Sequence, residues 1–266
     1  MIKPLGSSLI LGAMLVALTT PAQASSEVER EQAMAQRHAH QYEAAEATLQ
    51  GALKRNPGDF ALLCEIARFK DYVGDYADAL HYYRKALVVT PNDFATQVMA
   101  AHEEIMLTHY DQALKACEGL MGHPERQSAP RWAQSRLFVT LGSAKAMKSM
   151  EGGWSMLRYG FSIKQDFETA YRLDPDYPRA GFGLGMLEVK APPFAGGNMA
   201  HGMTLVTKAA RMDPDDWTIR GNYVQILLDS KAPEAKAQQE RWVSDFGKNP
   251  GARKQFPKLF KVAEGN

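Results

Sequence analysis

Seven histidines and thirteen methionines are the side chains here whose chemistry can go beyond packing. His38 and His40 flank a turn, and His102 and His109, seven apart, share one helix face. A zinc site needs further ligands at a spacing such as H-E-x-x-H, and neither pair has a carboxylate so placed. Met147, Met150, Met156, Met186, Met199, Met203 and Met212 crowd the second half, and thioethers are soft ligands suited to Cu(I). Met199-Ala-His201-Gly-Met203 is the best segment for a metal or small-ligand carrier. Against it, methionine commonly fills irregular cores and adaptable binding surfaces. Gly196-Gly197 is followed by no Lys-Ser/Thr pair, and the chain has neither G-x-G-x-x-G nor G-x-S-x-G. No catalytic constellation and no cofactor follow from these residues. Binding without catalysis is the expected activity.

The elements that must position these residues show a fixed period. Pro57 and Pro91 lie 34 residues apart. Tyr42…Ala45…Leu49…Ala52 precedes the first, and Tyr76…Ala79…Tyr83…Ala86 precedes the second. Small residues at matched places let paired helices approach closely. The first unit covers about 26–59, with a charged opening helix suited to a terminal cap; the second covers 60–93. In the second, Leu63, Ile66, Ala67 and Phe69 recur at helical spacing before a turn at Gly74-Asp75. Later units (94–250) are degenerate. The stretch 124–130 reads as a loop, Gly152-Gly153 breaks a long helical pattern, and a helix carrying Phe161, Phe167 and Ala170 follows. From Pro175 to Pro214 the period stretches, the excess lying in Ala191-Pro-Pro-Phe-Ala-Gly-Gly-Asn198.

A 34-residue helix–turn–helix period resembles the tetratricopeptide repeat (TPR), which implies an all-α solenoid of roughly five to six helix pairs. Within 141–215, the Leu-Gly helices, Leu173-Asp-Pro, Ala191-Pro-Pro…Gly196-Gly197-Asn and Asp213-Pro214 are similar to the T component associated with some bacterial TRAP transporters. That resemblance implies a periplasmic accessory of solute uptake that engages a substrate-binding protein, with Pro192, Gly196 and Gly197 matching the family's proline–diglycine loop. Matching the units places Arg68, Tyr72, His102, Met106, Met147, Phe182, Met186 and Tyr223 on the concave face. An aromatic, methionine and arginine lining suits a protein or peptide partner. Phe194, in the stiffened loop, either packs inside or meets a partner.

The start of the chain reads as an address. Lys3, the apolar run Leu9–Leu18 and the A-x-A site Pro21-Ala-Gln-Ala24 form a secretory signal of residues 1–24, cleaved before Ser25. The run is about half the ~20 residues a spanning helix needs, and no cysteine follows it for lipid attachment. A soluble periplasmic protein covering 25–266 is expected, an uncleaved N-terminal anchor being the lesser alternative. With 31 Lys+Arg against 30 Asp+Glu, the charge balance gives no electrostatic argument for nucleic acid or an anionic membrane. Cys64 and Cys117 fall on helices that are not close neighbours in a TPR stack and are expected to be free.

Overall fold

The structure is a computed structural model that describes residues 21–261, with side chains from Ser26 onward except that of Phe194. The expected signal therefore lies largely outside the described residues; the first helix begins at Pro21 and runs through Ala24.

Among the described residues there are fourteen α-helices and no strand. They form six antiparallel pairs: α1 (Pro21–His38) with α2 (Tyr42–Arg55), α3 (Phe60–Tyr72) with α4 (Tyr76–Val89), and α5 (Phe94–Met106) with α6 (Tyr110–Met121). Then come α7 (Arg131–Ser149) with α8 (Gly153–Leu173), α9 (Pro178–Lys190) with α10 (Met199–Met212), and α11 (Trp217–Asp229) with α12 (Ala235–Phe246). Two short helices, α13 (Pro250–Gln255) and α14 (Pro257–Lys261), end the array. The helical-hairpin repeat solenoid expected from the period is the fold observed.

The repeating prolines locate the caps. Asp59, Asp93 and Asp216 each stand two residues after a proline, and each accepts from a backbone N–H in the first turn of the next helix, at 3.0, 2.8 and 2.9 Å. An aspartate there satisfies donors that the helix itself leaves unpaired. The alanines of the motif are closed off from solvent: Ala45, Ala52, Ala79, Ala86, Ala113 and Ala170 are all fully buried. Ala79→Leu or Ala86→Leu is therefore expected to destabilise by about 1–3 kcal/mol through overpacking. A urea midpoint unmoved by both substitutions would remove this register.

The pair α9–α10 crosses through glycines. A Cβ on Gly185 would lie 2.8 Å from the Gly202 carbonyl oxygen, and one on Gly202 would lie 2.7 Å from that of Gly185. The stretched loop between them is tightly built. After Pro192 a single 3-10 turn covers Pro193–Ala195, Gly196 has φ +88°, and a Cβ on Gly197 would fall 1.8 Å from the Ala191 oxygen. Lys164 Nζ donates to the Gly196 oxygen at 3.2 Å. Internal packing accounts for both glycines.

Repeat physics predicts that each unit touches only its neighbours in sequence. The structure departs from this. The last helices return to the second pair: Trp217 Nε1 donates to the Tyr72 carbonyl at 2.8 Å, and Asn249 Nδ2 donates to the same oxygen at 3.0 Å. Gly74, with φ +79°, meets Gly251 so closely that a Cβ would lie 2.6 Å from its Cα. Tyr76 Oη donates to Gln255 Oε1 at 3.4 Å, and His38 Nδ1 lies 3.3 Å from Asp215 Oδ2. The seam is packed by Trp217, Trp242, Phe246, Phe256 and Phe260, with Tyr72 against them. The solenoid closes on itself, and its inner face is enclosed.

Candidate functional site

From the second pair onward, the first helix of each pair brings charge to that inner face. Asp71 comes from the end of α3, His102 and Glu103 from α5, Arg136 from α7, Arg179 from α9 and Asp216 from the start of α11. Arg179 Nη2 lies 2.7 Å from Asp216 Oδ2, and Arg136 Nη1 donates to the Tyr177 hydroxyl at 2.9 Å. Glu103 is 0% exposed and neither of its carboxylate oxygens has a hydrogen-bond partner among the described residues. Arg136 is 2% exposed and its Nε and Nη2 are likewise unpartnered.

Three carboxylates face two guanidinium groups, so protonating one carboxyl brings the cluster to neutrality. Burial pushes Glu103 well above its ordinary 4.5, the Asp71 charge adds to this, and Arg136 and Arg179 oppose it. Asp71 is also raised, by burial first. His102 is lowered well below 6.5, by burial and then by the two arginines. These shifts act oppositely on stability. A carboxyl raised in the folded state keeps its proton where the unfolded chain has lost it. Its contribution is full below the unfolded value and is lost as pH rises. A histidine held neutral contributes fully above 6.5 and loses this as pH falls. Glu103→Gln, which mimics the protonated acid, is thus expected to melt higher than wild type at pH 8. The gain, about 2–4 °C for each kcal/mol, should vanish as pH approaches 4.5. Paired thermal melts at the two pH values check this; a variant no more stable at pH 8 would show that Glu103 is held ionised.

A pocket of about 260 Å³ adjoins this cluster. Arg30, Cys64, Arg68, Tyr83, Met99 and Trp132 are among its lining. Tyr83 is 1% exposed and its hydroxyl has no partner among the described residues; Arg30 Nε is enclosed and also unpartnered. Arg68 is half exposed, paired with Glu65 at 3.2 Å. Burial raises both the Tyr83 phenol and the Cys64 thiol, with Thr96 opposing at Cys64, so neither is poised as a nucleophile or base. The pocket offers donors on an aromatic and thioether wall, beside the Asp93 carboxylate, one oxygen of which is taken up in capping α5 through the Thr96 N–H; this is recognition chemistry. A wider hollow of about 660 Å³ lies between α4, α5 and α6. Its Arg84 and Glu104 are already paired at 2.7 Å, and His109 also holds Glu104 at 2.8 Å.

The eight residues expected to line the groove are dispersed. Arg68 lines the pocket and His102 stands in the charged cluster, its Nδ1 enclosed and unpartnered. Tyr72 belongs to the closing seam, with the Arg37 guanidinium 4.8 Å over its ring. Met106, Phe182, Met186 and Tyr223 are half-buried, and Met147 is exposed. Met199 and Met203 share a face of α10, but His201 points away from them and holds Glu188 at 2.5 Å. Cys64 and Cys117 are free and buried. Sequence reasoning missed Arg30, Asp71, Glu103, Trp132, Arg136, Arg179 and Asp216. The available signal was charge set inside apolar runs, as in Ala101-His-Glu-Glu-Ile105 and Ser135-Arg-Leu137.

The fold and its enclosed inner face define a TPR-like helical-repeat scaffold. No family model matches the sequence, and no curated protein matches it. Among solved structures, TTC0263, a thermophilic TPR protein of Thermus thermophilus, is similar with a TM-score of 0.58 at 16% identity, covering 76% of this chain and 99% of that one. PilF of Pseudomonas aeruginosa gives 0.52 at 17% identity, over 85% and 100%. PilW, a widely conserved type IV pilus biogenesis factor, gives 0.50 at 15%, over 86% and 97%. At these identities the likeness concerns the fold.

Proposed function

We propose that this protein is an exported, non-catalytic scaffold that holds a protein or peptide partner at its inner face. The acidic side chain or carboxyl terminus of that partner sits in the 260 Å³ pocket. The observation that supports this reading is the pair of enclosed, unpartnered donors, Tyr83 Oη and Arg30 Nε, beside the half-exposed Arg68 guanidinium. Buried polar atoms are normally satisfied, and a carboxylate is an acceptor that suits both donors. The pocket is the size of one side chain or terminus, so the rest of a partner must follow the rim. Periplasmic residence rests on the Lys3 to Ala24 pattern.

Affinity capture from periplasmic extract, followed by mass spectrometry, identifies the partner; the wild type and Arg68→Ala are then compared with that partner alone. Each charge-assisted contact contributes about 1.5–3 kcal/mol, so Arg68→Ala is expected to weaken binding by at least about tenfold. Its melting temperature should not change, since the side chain is half exposed. Unaltered affinity in Arg68→Ala and in Arg30→Ala would exclude the pocket.

A further inference from the structure

The even charge balance of the whole chain conceals a local excess at its end. Between Asp245 and Glu264 the sequence carries five cations, Lys248, Arg253, Lys254, Lys258 and Lys261, and no acid. All of these side chains are exposed. The helices α13 and α14 gather them at one end of the array. The Arg253 guanidinium stands 4.9 Å over the Phe260 ring, and Lys258 and Lys261, three apart, share a face of α14. None of these cations forms an ion pair among the described residues. The acids around them are engaged elsewhere. Asp75 and Asp78, across the seam at the α3–α4 turn, lie 3.5 and 3.4 Å from Lys70, and Asp245 lies 2.7 Å from Arg220. On α12, Glu240 has Lys236 one turn before it and Arg241 beside it. Helix dipoles do not account for the pattern, because Lys248 and Lys258 stand at the starts of α13 and α14, where a cation is disfavoured.

The kind of surface that these cations meet follows from the side chains around them. Among the described residues no large apolar side chain is exposed beyond Met212. A protein partner would therefore find charge without the buried aromatic anchor that carries most interfaces. Phe256 is half-buried and Phe260 buried, which leaves no ring on which the bases of a nucleic acid could stack. All but Arg253 are lysines, compact charges on flexible stems, with no planar fork for a single phosphate or carboxylate. A diffuse anionic surface suits them. We infer that the α13–α14 end of the array is an electrostatic docking surface for an anionic bilayer, its lysines lying at headgroup level with no side chain inserted. The contact is peripheral: no helix among the described residues is long and apolar enough to cross a membrane. This surface shares no residue with the pocket beside Arg68.

The test is sedimentation of the full chain with vesicles of phosphatidylcholine alone and of phosphatidylcholine mixed with phosphatidylglycerol. The wild type is expected to prefer the anionic vesicles and to lose that preference in high salt. Each lysine near such a surface contributes roughly fivefold, so Lys254→Ala/Lys258→Ala should bind the anionic vesicles about 25-fold more weakly. Lys254→Arg/Lys258→Arg, which keeps the charge, should bind as the wild type does. All of these proteins carry the same apolar run Leu9–Leu18, so differences between them report the patch. Both replaced lysines are exposed, and an unchanged melting curve confirms an intact fold. Inorganic phosphate should release no more protein than chloride at equal ionic strength; release by phosphate alone would replace the bilayer with a discrete phosphate site and overturn the inference. Equal sedimentation of wild type and alanine variant, or no binding to either vesicle, would overturn it too. So would lysine-dependent binding to duplex DNA, or to an acidic protein, while vesicles remain unbound.

Discussion

Trp217→Ala is expected to lower stability by about 3–5 kcal/mol, the range for deleting a buried aromatic. The ring is 3% exposed and stands edge-on to Phe256 at 6.2 Å. Its N–H joins α11 to the Tyr72 carbonyl across 145 residues of sequence, and its own carbonyl accepts from Trp242 Nε1 at 3.1 Å. The substitution therefore opens a cavity in the seam and removes a bond that closes the solenoid. Trp217→Phe separates the two effects. It keeps most of the apolar volume and loses the N–H, while Asn249 still serves the Tyr72 oxygen. Its expected cost is about 1 kcal/mol. Urea denaturation of both variants reads these values. An alanine variant as stable as wild type would mean that the seam contributes nothing.

Arg179→Met carries a comparable cost for a different reason. Arg179 is 27% exposed but Asp216 only 5%, so removing the guanidinium leaves a buried carboxylate uncompensated, which costs at most about 3–5 kcal/mol. Asp216 would lose the guanidinium 2.7 Å away, and Asp71 would lose the charge that most opposes its rise. The double variant Arg179→Met/Asp216→Asn should recover most of the loss. Asparagine still caps α11, where Asp216 now accepts from Thr218 and Ile219. A double variant as unstable as the single one would show that the loss comes from packing and not from charge.

The period of 34 made the helix pairs and their close crossings legible, because Pro57, Pro91 and the alanines before them record contacts between adjacent helices. The return of α11 and α13 to the α3–α4 turn left no such trace. Trp217 and Asn249 are 145 and 177 residues from Tyr72, and a periodic pattern encodes near neighbours alone. The charged inner face was hidden for a related reason. A lone Glu103 or Arg136 in a helix defaults to solvent in any reading by pattern, and only the curvature of the array turns it inward. Phe161 and Phe167 illustrate the same limit. Both stand in one helical run, yet the second is core and the first lies open on the far side, where no neighbouring helix reaches.

Spin labels on Tyr76→Cys and Gln255→Cys measure the closure directly. Those side chains are 3.4 Å apart across the seam, and replacing the native Cys64 and Cys117, both free, by alanine confines labelling to the two new sites. A closed solenoid predicts one short, narrow distance between the labels in the folded protein. A long or broad distribution would contradict it, and with it the enclosed inner face on which the proposed binding site depends.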